Sequence, residues 1–158
     1  MSPMPCETLI RSSAFTVVKS RLSEVMDDVI HGHHPQLVDR HSGREKMLLM
    51  GVSEAAALLE QFRFEPRVRV SADEVVVRLP ELNLVAGGAT YEDALEELVE
   101  LVEEYSADFI SRFDFYMQTD RRDHLPWLMR FAITPPEDRA ELFSEPPREA
   151  LKRVHAAA

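Results

Sequence analysis

The order of secondary structure is set most clearly by residues 75–94, which read Val75-Val76-Val77-Arg78-Leu79-Pro80-Glu81-Leu82-Asn83-Leu84-Val85-Ala86-Gly87-Gly88-Ala89-Thr90-Tyr91-Glu92-Asp93-Ala94. The run of β-branched residues predicts a strand that ends at Pro80, because proline cannot donate a hydrogen bond to a neighbouring strand. Residues 82–86 predict a third short strand, and the glycine pair after it predicts a turn. Thr90 and Asp93 have the spacing of a capping box, so a helix is expected to begin at Tyr91.

The flanking residues extend this pattern into a small α+β domain over residues 63–112. Arginine and valine alternate over residues 67–70, and a polar four-residue turn follows, which predicts a hairpin with the strand at Val75. After the capping box, apolar residues recur every three or four positions and predict one long helix. These residues are Tyr91, Leu95, Leu98, Val102, Tyr105 and Phe109.

The long predicted helix has a strongly acidic outer face. Between residues 91 and 110 there are eight acidic residues and no basic one: Glu92, Asp93, Glu96, Glu97, Glu100, Glu103, Glu104 and Asp108. This face either only keeps the protein soluble or attracts a basic protein, since complementary charge raises association rates. On the second interpretation, the candidate contacts are Glu96, Glu100 and Glu103.

Residues 14–61 predict a smaller segment made of a helix, a hairpin and a second helix. The first helix is expected to have Thr16 as its N-cap, to end at Gly32, and to carry an apolar stripe of Val18, Leu22, Val25 and Val29. The expected elements after it are a strand at 36–39, a turn at 40–44, a strand at 46–50, and a helix at 52–61 with Ser53 as N-cap. A segment this small is expected to dimerise, because a two-stranded hairpin is only marginally stable alone.

The same segment and Arg11 just before it carry basic side chains that are candidates for contacts to DNA phosphates. Lys19 and Arg21 lie early in the predicted helix, where the helix dipole disfavours cations, so they are either placed for a partner or simply solvated. Affinity for DNA rises with the number of basic contacts. The candidates are Arg11, Lys19, Arg21, Arg40, His41 and Arg44.

The histidine-rich stretch His31-Gly32-His33-His34 is not expected to bind a metal. Zinc sites use four ligands whose cysteine, histidine or carboxylate partners occur at recognisable spacings, and no such spacing is present. Histidines at the end of a helix can instead hydrogen-bond its last carbonyl groups. No metal and no cofactor is predicted.

Residues 113–158 predict a helical tail that is rich in aromatic residues. Pro126 suits the first turn of a helix that runs to about Ile133, and Ser/Thr-Pro-acid patterns predict further helices near 135–143 and 146–155. These helices either pack on the domain before them or wrap around a partner. In the second case Trp127 and Phe131, four residues apart on one face, are the expected anchors.

Composition limits the classes of function. The chain has 158 residues, of which 45% are apolar and 29% charged, as in a globular protein. The net charge of −10 argues against nucleic-acid binding by the whole chain. However, residues 1–50 have no net charge, and residues 51–158 carry all of the net negative charge. The single cysteine, Cys6, and the lack of a secretion signal or a long apolar run predict a cytoplasmic protein without a membrane partner.

No sequence motif indicates catalysis. The chain has no glycine-rich phosphate loop, no nucleophile elbow and no paired catalytic carboxylates. An enzyme is therefore not predicted, and no catalytic residue is proposed.

The N-terminal segment resembles the Phd/YefM antitoxins. The resemblance lies in Thr16-Val17-Val18-Lys19-Ser20-Arg21-Leu22-Ser23-Glu24-Val25, then Val29-Ile30-His31-Gly32, then Leu37-Val38-Asp39-Arg40-His41-Ser42-Gly43. In that family this segment dimerises and binds operator DNA. The resemblance therefore implies that residues 14–61 are a dimerisation and DNA-binding domain.

Residues 63–112 resemble the HicB-type antitoxin domain. The similar features are Arg78-Leu79-Pro80-Glu81-Leu82, the stretch Val85 to Gly88, and the helix start Ala89-Thr90-Tyr91-Glu92-Asp93-Ala94. The resemblance implies a partial ribonuclease-H-like sheet with a helix on it, used for assembly and toxin binding.

Together these features predict a type II antitoxin that binds a basic toxin and represses its own operon as a homodimer or higher oligomer. Toxin contacts are expected at Glu96, Glu100, Glu103, Trp127 and Phe131, in the HicB-like domain and the tail at residues 113–158. The alternative is an oligomeric adaptor for protein interactions that does not bind DNA. A strong fall in DNA affinity with added salt would favour the first interpretation.

Overall fold

The computed structural model describes residues 10–144, and the chain divides into two compact units between Leu58 and Leu59. Each unit combines helices with a three-stranded sheet, which confirms the predicted α+β class. Within residues 10–144, no helix combines the length and the apolar character needed to cross a membrane.

The first unit alternates strands and helices. Its elements are β1 (Arg11–Ala14), α1 (Phe15–Ser20), α2 (Leu22–His31), β2 (Gln36–Arg40), β3 (Glu45–Leu49) and α3 (Val52–Leu59). The sheet order is β1-β2-β3, with β1 parallel to β2 and β3 antiparallel to it. The sequence predicted only the β2–β3 hairpin, so the expectation of a two-stranded sheet was wrong. Because β1 reads Arg-Ser-Ser-Ala, it lacks the apolar alternation that marks a strand.

The predicted single N-terminal helix is interrupted at Arg21. This residue has φ −127° and ψ 31°, outside the helical region, and its amide donates to the carbonyl oxygens of Val17 and Val18, each at 3.2 Å. The N-cap of α1 is Ala14, so the prediction that Thr16 caps the helix was wrong. The helix does end at Gly32, as predicted.

The interruption at Arg21 changes the electrostatic environment of Lys19. Lys19 lies in the last turn of α1 and Glu24 in the first turn of α2, where the helix dipoles favour each charge. The conflict with the helix dipole that was expected for Lys19 is therefore absent, whereas Arg21 lies at the junction as the C-cap of α1 and the N-cap of α2.

The start of α3 also differs from the prediction. The helix begins at Val52, so Ser53 lies within its first turn, and its hydroxyl donates to Glu54 Oε2 at 2.8 Å. Ser53 is therefore not the N-cap. The helix ends at Leu59, two residues before the predicted Gln61.

The first unit buries little of its apolar surface. Between residues 10 and 58 its buried side chains are Val18, Val29, Gln36 and Val38. Leu22, Met26 and Ile30 are spaced four residues apart on α2, and each is about half exposed. Of the apolar stripe predicted for the N-terminal helix, Val18 and Val29 are therefore buried, whereas Leu22 lies on the exposed side.

The second unit has a sheet covered on one face by a long helix. Its elements are β4 (Arg67–Val70), β5 (Val75–Leu79), β6 (Leu84–Gly88), α4 (Tyr91–Ser111), α5 (Phe113–Tyr116), a 3₁₀ segment (Asp120–His124), α6 (Leu125–Ile133) and a second 3₁₀ segment (Pro136–Ser144). The strand order is β4-β5-β6 and both pairings are antiparallel. The predicted hairpin and long helix are confirmed, and Thr90 and Asp93 form the predicted reciprocal capping box.

The third strand begins later than expected. Residues 80–83 form a tight turn in which Asn83 has φ 54°, so β6 starts at Leu84 and includes both glycines. The prediction that Gly87 and Gly88 form a turn was therefore wrong. Gly88 is needed because a Cβ there would lie 2.5 Å from the backbone nitrogen of Ala94.

The core of the second unit lies between the sheet and α4. Val77, Leu79 and Ala86 face Leu98 and Val102 of the helix, and all five are essentially buried. The later helical segments add Tyr116, Leu128, Phe131, Leu142 and Phe143 to the same core. The tail was predicted either to pack on the preceding domain or to wrap around a partner. Its described residues, 113–144, pack on that domain. The helix predicted near 146–155 lies outside the described residues.

Candidate functional site

Two of the predicted DNA contacts lie together on the first unit. Arg11 and Arg21 line a shallow groove of about 300 Å³ between β1 and the α1–α2 break. Each has an acidic neighbour: Arg11 Nη1 is 3.8 Å from Asp28 Oδ2, and Arg21 Nε donates to Glu24 Oε2 at 2.8 Å. The groove therefore contains paired charges instead of a purely positive surface.

Three further candidates lie at the end of β2 or in the turn that follows it. His41 and Ser42 have φ of 51° and 57°, so two non-glycine residues adopt the left-handed conformation. Glu45 lies 4.0 Å from Arg40 and 3.7 Å from His41, which reduces the local positive charge. Arg40 also lies over the ring of Phe15, 5.5 Å from its centre.

The remaining basic candidates are exposed. Within the described part of the chain, Lys19 and Arg44 have no ion pair or hydrogen bond from their side chains. Neither lines the groove of Arg11 and Arg21. The predicted DNA-binding set is thus divided between a groove and a turn, with Lys19 on α1.

The histidine-rich stretch forms hydrogen bonds to carboxylates. His34 Nδ1 lies 2.9 Å from Asp28 Oδ1, and His33 is hydrogen-bonded to Glu54. These bonds lower the pKa of both Asp28 and Glu54. Among residues 10–144, no three histidine, cysteine or acidic side chains are grouped to hold a metal.

On the second unit, the acidic residues of α4 fall into two groups. Four of them have partners within the unit. Asp93 accepts a hydrogen bond from the Thr90 amide, Glu97 from the Gly87 amide, Glu103 pairs with Arg139, and Asp108 pairs with Arg112 and Tyr116. The other four, Glu92, Glu96, Glu100 and Glu104, have no hydrogen bond or ion pair from their side chains within residues 10–144.

Three of the unpaired acids border an apolar groove, here called the α4 groove. It encloses about 380 Å³, and its floor is formed by Leu95, Val99 and Ala140. Glu92, Glu96 and Glu100 follow one another at intervals of four residues along its edge. The structure therefore brings Glu96 and Glu100 of the predicted set together and assigns Glu103 to an internal ion pair.

A larger cavity of about 590 Å³ lies at the other flank of α4. Its wall contains a hydrogen bond between Tyr105 Oη and His124 Nδ1 at 2.7 Å, and Tyr116 donates a hydrogen bond to Asp108. Burial raises the pKa of Tyr105, the bond to Asp108 raises the pKa of Tyr116, and burial lowers the pKa of His124.

Sequence patterns did not identify this cavity. Its residues come from α4, from α5, from the loop before β6 and the start of that strand, and from the 3₁₀ segment Asp120–His124. Only tertiary packing brings these elements together. In the sequence, Tyr105 is part of an apolar stripe, and His124 is an isolated histidine.

Of the two predicted aromatic anchors, Phe131 is part of the unit's own core and Trp127 is partly buried against it. Phe131 is 1% exposed, between Phe143 and the guanidinium of Arg139. Trp127 donates from Nε1 to the carbonyl oxygen of Arg63 at 3.1 Å and packs edge-on against Phe62. The assignment of Phe131 as a surface anchor is corrected accordingly, because its side chain is enclosed by its own fold.

The chain was compared with known proteins. A comparison with curated proteins gave no match. A crystal structure described as the antitoxin part of a proposed toxin/antitoxin system from Syntrophomonas wolfei subsp. wolfei is similar, with a TM-score of 0.69 and 18% identity. The match covers 85% of this chain and 96% of that one, and at this identity it shows a shared fold.

The PHD-like family, described as "Antitoxin of toxin-antitoxin, RelE / RelB, TA system", has a model that matches residues 9–142. That range spans both units. Antitoxins are regulatory proteins and not enzymes. The chain belongs to this PHD-like family of toxin–antitoxin antitoxins.

Proposed function

We propose that this antitoxin neutralises its cognate toxin by direct binding, with the α4 groove as the principal contact, and represses its own operon by binding operator DNA. We assign the first role to a HicB-like second unit and the second to a Phd/YefM-like first unit, acting as a homodimer in the cytoplasm. The observation that carries the toxin assignment is the row of unpaired Glu92, Glu96 and Glu100 beside an apolar floor.

The α4 groove has the chemistry of a site for a basic, amphipathic segment. Like charges four residues apart destabilise a helix by a few tenths of a kcal/mol per pair, and between residues 10 and 144 no basic side chain pairs with Glu92, Glu96 or Glu100. The apolar floor would bury a partner's apolar residues, while the carboxylates would attract its lysines and arginines. Both features favour a basic toxin as the occupant.

The first test identifies the toxin and then measures its affinity. The tagged antitoxin is purified gently from its native host, and a small basic protein in fixed stoichiometry is the expected companion. Glu96→Gln with Glu100→Gln should weaken that complex about tenfold or more, because both charges are lost from the groove.

The matched control is Asp73→Asn with Asp114→Asn, which removes two exposed carboxylates elsewhere on the same unit. The control should retain the wild-type dissociation constant. Equal weakening in both variants would indicate a general charge effect and contradict the groove assignment.

The proposed dimer uses the apolar surface that the first unit leaves exposed. Leu22, Met26 and Ile30 form a stripe along α2, each about half exposed. Met26→Glu with Ile30→Glu should therefore yield a monomer in size-exclusion chromatography with light scattering. A dimer that persists in this variant would move the interface elsewhere.

For operator binding, the proposed contacts are Arg11, Lys19, Arg21, Arg40, His41 and Arg44, all on the first unit. Lys19→Ala with Arg21→Ala should weaken operator binding and leave toxin affinity unchanged. Arg112→Ala with Arg122→Ala, an equal change of charge on the second unit, is the control. Unchanged operator affinity in the Lys19/Arg21 variant would remove the DNA assignment from this helix.

The second candidate function is an antitoxin that neutralises its toxin without binding DNA. It is favoured by the acidic neighbours of Arg11, Arg21 and Arg40, which offset the charge of half of the proposed DNA contacts. Titration of operator DNA at several salt concentrations separates the two. Phosphate contacts predict a steep fall of affinity with salt, and an absence of binding at low salt would favour this candidate.

A further inference from the structure

The sheet of the second unit has one face that α4 does not cover. Val75, Val77 and Leu79 of β5 point into the core, so the intervening residues Val76 and Arg78 point to the opposite face. Residues paired across antiparallel strands share a face, and Arg67 pairs with Arg78 while Arg69 pairs with Val76. Arg67, Arg69 and Arg78 therefore lie together on one exposed surface, here called the arginine face.

These three arginines differ from the other arginines between residues 59 and 144. Each of the others has a partner in the unit: Arg63 near Glu60, Arg112 near Asp108, Arg121 over the Tyr105 ring, Arg122 near Asp123, Arg130 at the carbonyl oxygen of Phe62, and Arg139 at Glu103. Within the described residues, Arg67, Arg69 and Arg78 have no ion pair, hydrogen bond or ring contact from their side chains.

Concentrating three unpaired cations on this face works against stability. Arg67 and Arg78 are directly opposite each other, and like charges in that position destabilise a sheet. The chain has 28 acidic residues against 18 lysines and arginines, so carboxylates for pairing are abundant. One carboxylate, that of Glu74, lies next to Gly87 at the edge of the arginine face. It forms no ion pair with these three arginines. A negatively charged partner would remove the repulsion.

We infer that the arginine face binds the phosphate backbone of duplex DNA, an inference that rests on the proposed repressor function. Guanidinium groups match phosphate oxygens in a bidentate manner. Single-stranded nucleic acid is normally bound with aromatic residues that stack on its bases, and the three strands contain no aromatic residue. The remaining side chains of the face, Val76 and Val85, offer no hydrogen bonds to bases. The face is therefore suited to sequence-independent contact with a duplex.

The test compares full-length variants on one duplex that contains the operator and on a scrambled duplex of equal length. Arg67→Gln, Arg69→Gln and Arg78→Gln are combined in one variant. Its control is Arg112→Gln, Arg121→Gln and Arg122→Gln, with the same change of charge on the same unit and outside the α4 groove. Far-UV circular dichroism and toxin binding show that each variant is folded.

The combined variant should lower the affinity for both duplexes about tenfold or more. The slope of log affinity against log salt should fall by about 0.9 for each phosphate contact that is lost. Loss on the scrambled duplex equal to that on the operator is expected, because phosphates carry no sequence information. The control should keep the wild-type slope.

The outcomes separate this inference from the proposed function. If the combined variant binds as its control does while the Lys19/Arg21 variant fails to bind, the inference is overturned and the proposed repressor stands. If the combined variant loses DNA affinity while the Lys19/Arg21 variant binds as the wild type does, the arginine face is supported and the assignment of DNA contacts to Lys19 and Arg21 is overturned. If the wild type binds no duplex DNA, or if a duplex RNA of the same sequence binds more tightly and responds to the combined variant, the assignment to DNA is overturned.

Discussion

Arg139 Nη1 donates a hydrogen bond to Glu103 Oε1 at 2.8 Å and links the last described 3₁₀ segment to α4, 36 residues earlier in the chain. The same guanidinium donates from Nε to the carbonyl oxygen of Thr134 and lies 4.9 Å from the centre of the Phe131 ring. Arg139 therefore fixes the position of Ala140 in the floor of the α4 groove. It also removes Glu103 from the acids that remain available to a partner.

Replacing Arg139 should cost more stability than replacing Glu103. Arg139→Gln loses two hydrogen bonds and a cation–π contact, so we expect a loss of about 1–2 kcal/mol in the free energy of unfolding. Glu103→Gln should cost about 0.5 kcal/mol, because that carboxylate is nearly half exposed and its ion pair is screened. Urea denaturation of both variants measures the difference, and equal losses would contradict the ranking.

The two neighbouring glycines of β6 should respond differently to a methyl group. In Gly88→Ala the new Cβ would meet the backbone nitrogen of Ala94 at 2.5 Å, so strand and helix must separate. We expect a loss of about 2–3 kcal/mol, as for other overpacked sites. In Gly87→Ala the nearest atom is Glu74 Oε1, at the end of a flexible side chain, so the loss should stay below about 1 kcal/mol. Thermal melting of the two variants tests this contrast.

The burial of Phe131 predicts a stability effect where the sequence suggested a binding effect. Phe131→Ala should destabilise the second unit by about 3–5 kcal/mol, because it leaves a cavity beside Phe143 in the core. Met129→Ala, an exposed position on the same helix, should change the free energy of unfolding by less than about 1 kcal/mol. Chemical denaturation is the measurement. A folded, stable Phe131→Ala protein with weakened toxin binding would restore the surface-anchor interpretation.

His124 predicts how the second unit responds to acid. Burial, with Arg121 nearby, lowers the pKa of His124, so the unfolded chain takes up a proton at a higher pH than the folded one. The stability linked to this residue is therefore present above its ordinary pKa of about 6.5 and is lost as the pH falls through the lowered value.

Comparing wild type with His124→Gln between pH 7.5 and 5 isolates this contribution. Wild type should lose more stability over that range than the variant does, as judged from urea midpoints. Parallel pH profiles would show that His124 is not linked to folding. Tyr105→Phe provides a control for the hydrogen bond, since it removes the partner at 2.7 Å without removing the imidazole.

Much of the second unit could be predicted because its signals are local. The alternation over residues 67–70, the strand end at Pro80 and the Thr90–Asp93 capping box each depend on side chains a few residues apart. The helix start at Leu125–Pro126 was also found from a local rule, that proline suits the first turn. Such rules hold when neighbouring residues alone decide the backbone conformation.

The candidate sites were predicted less completely, because sequence patterns do not show which charges are already paired. Glu96, Glu100 and Glu103 look alike on a helical projection, yet Arg139 pairs with only one of them. Likewise, four-residue spacing suggested that Trp127 and Phe131 share a surface, whereas that face of α6 packs into the core.

By itself, the sequence determined the order of elements from β4 to α4, the acidic character of α4 and the helix end at Gly32. Only the tertiary structure decided the parallel pairing of β1 with β2, the interruption at Arg21, the enclosure of Phe131 and the grouping of the arginine face. The physical reason is the range of the interactions. Capping, periodicity and turns involve residues within about one helical turn or strand repeat, whereas pairing and burial join residues that are far apart in the chain.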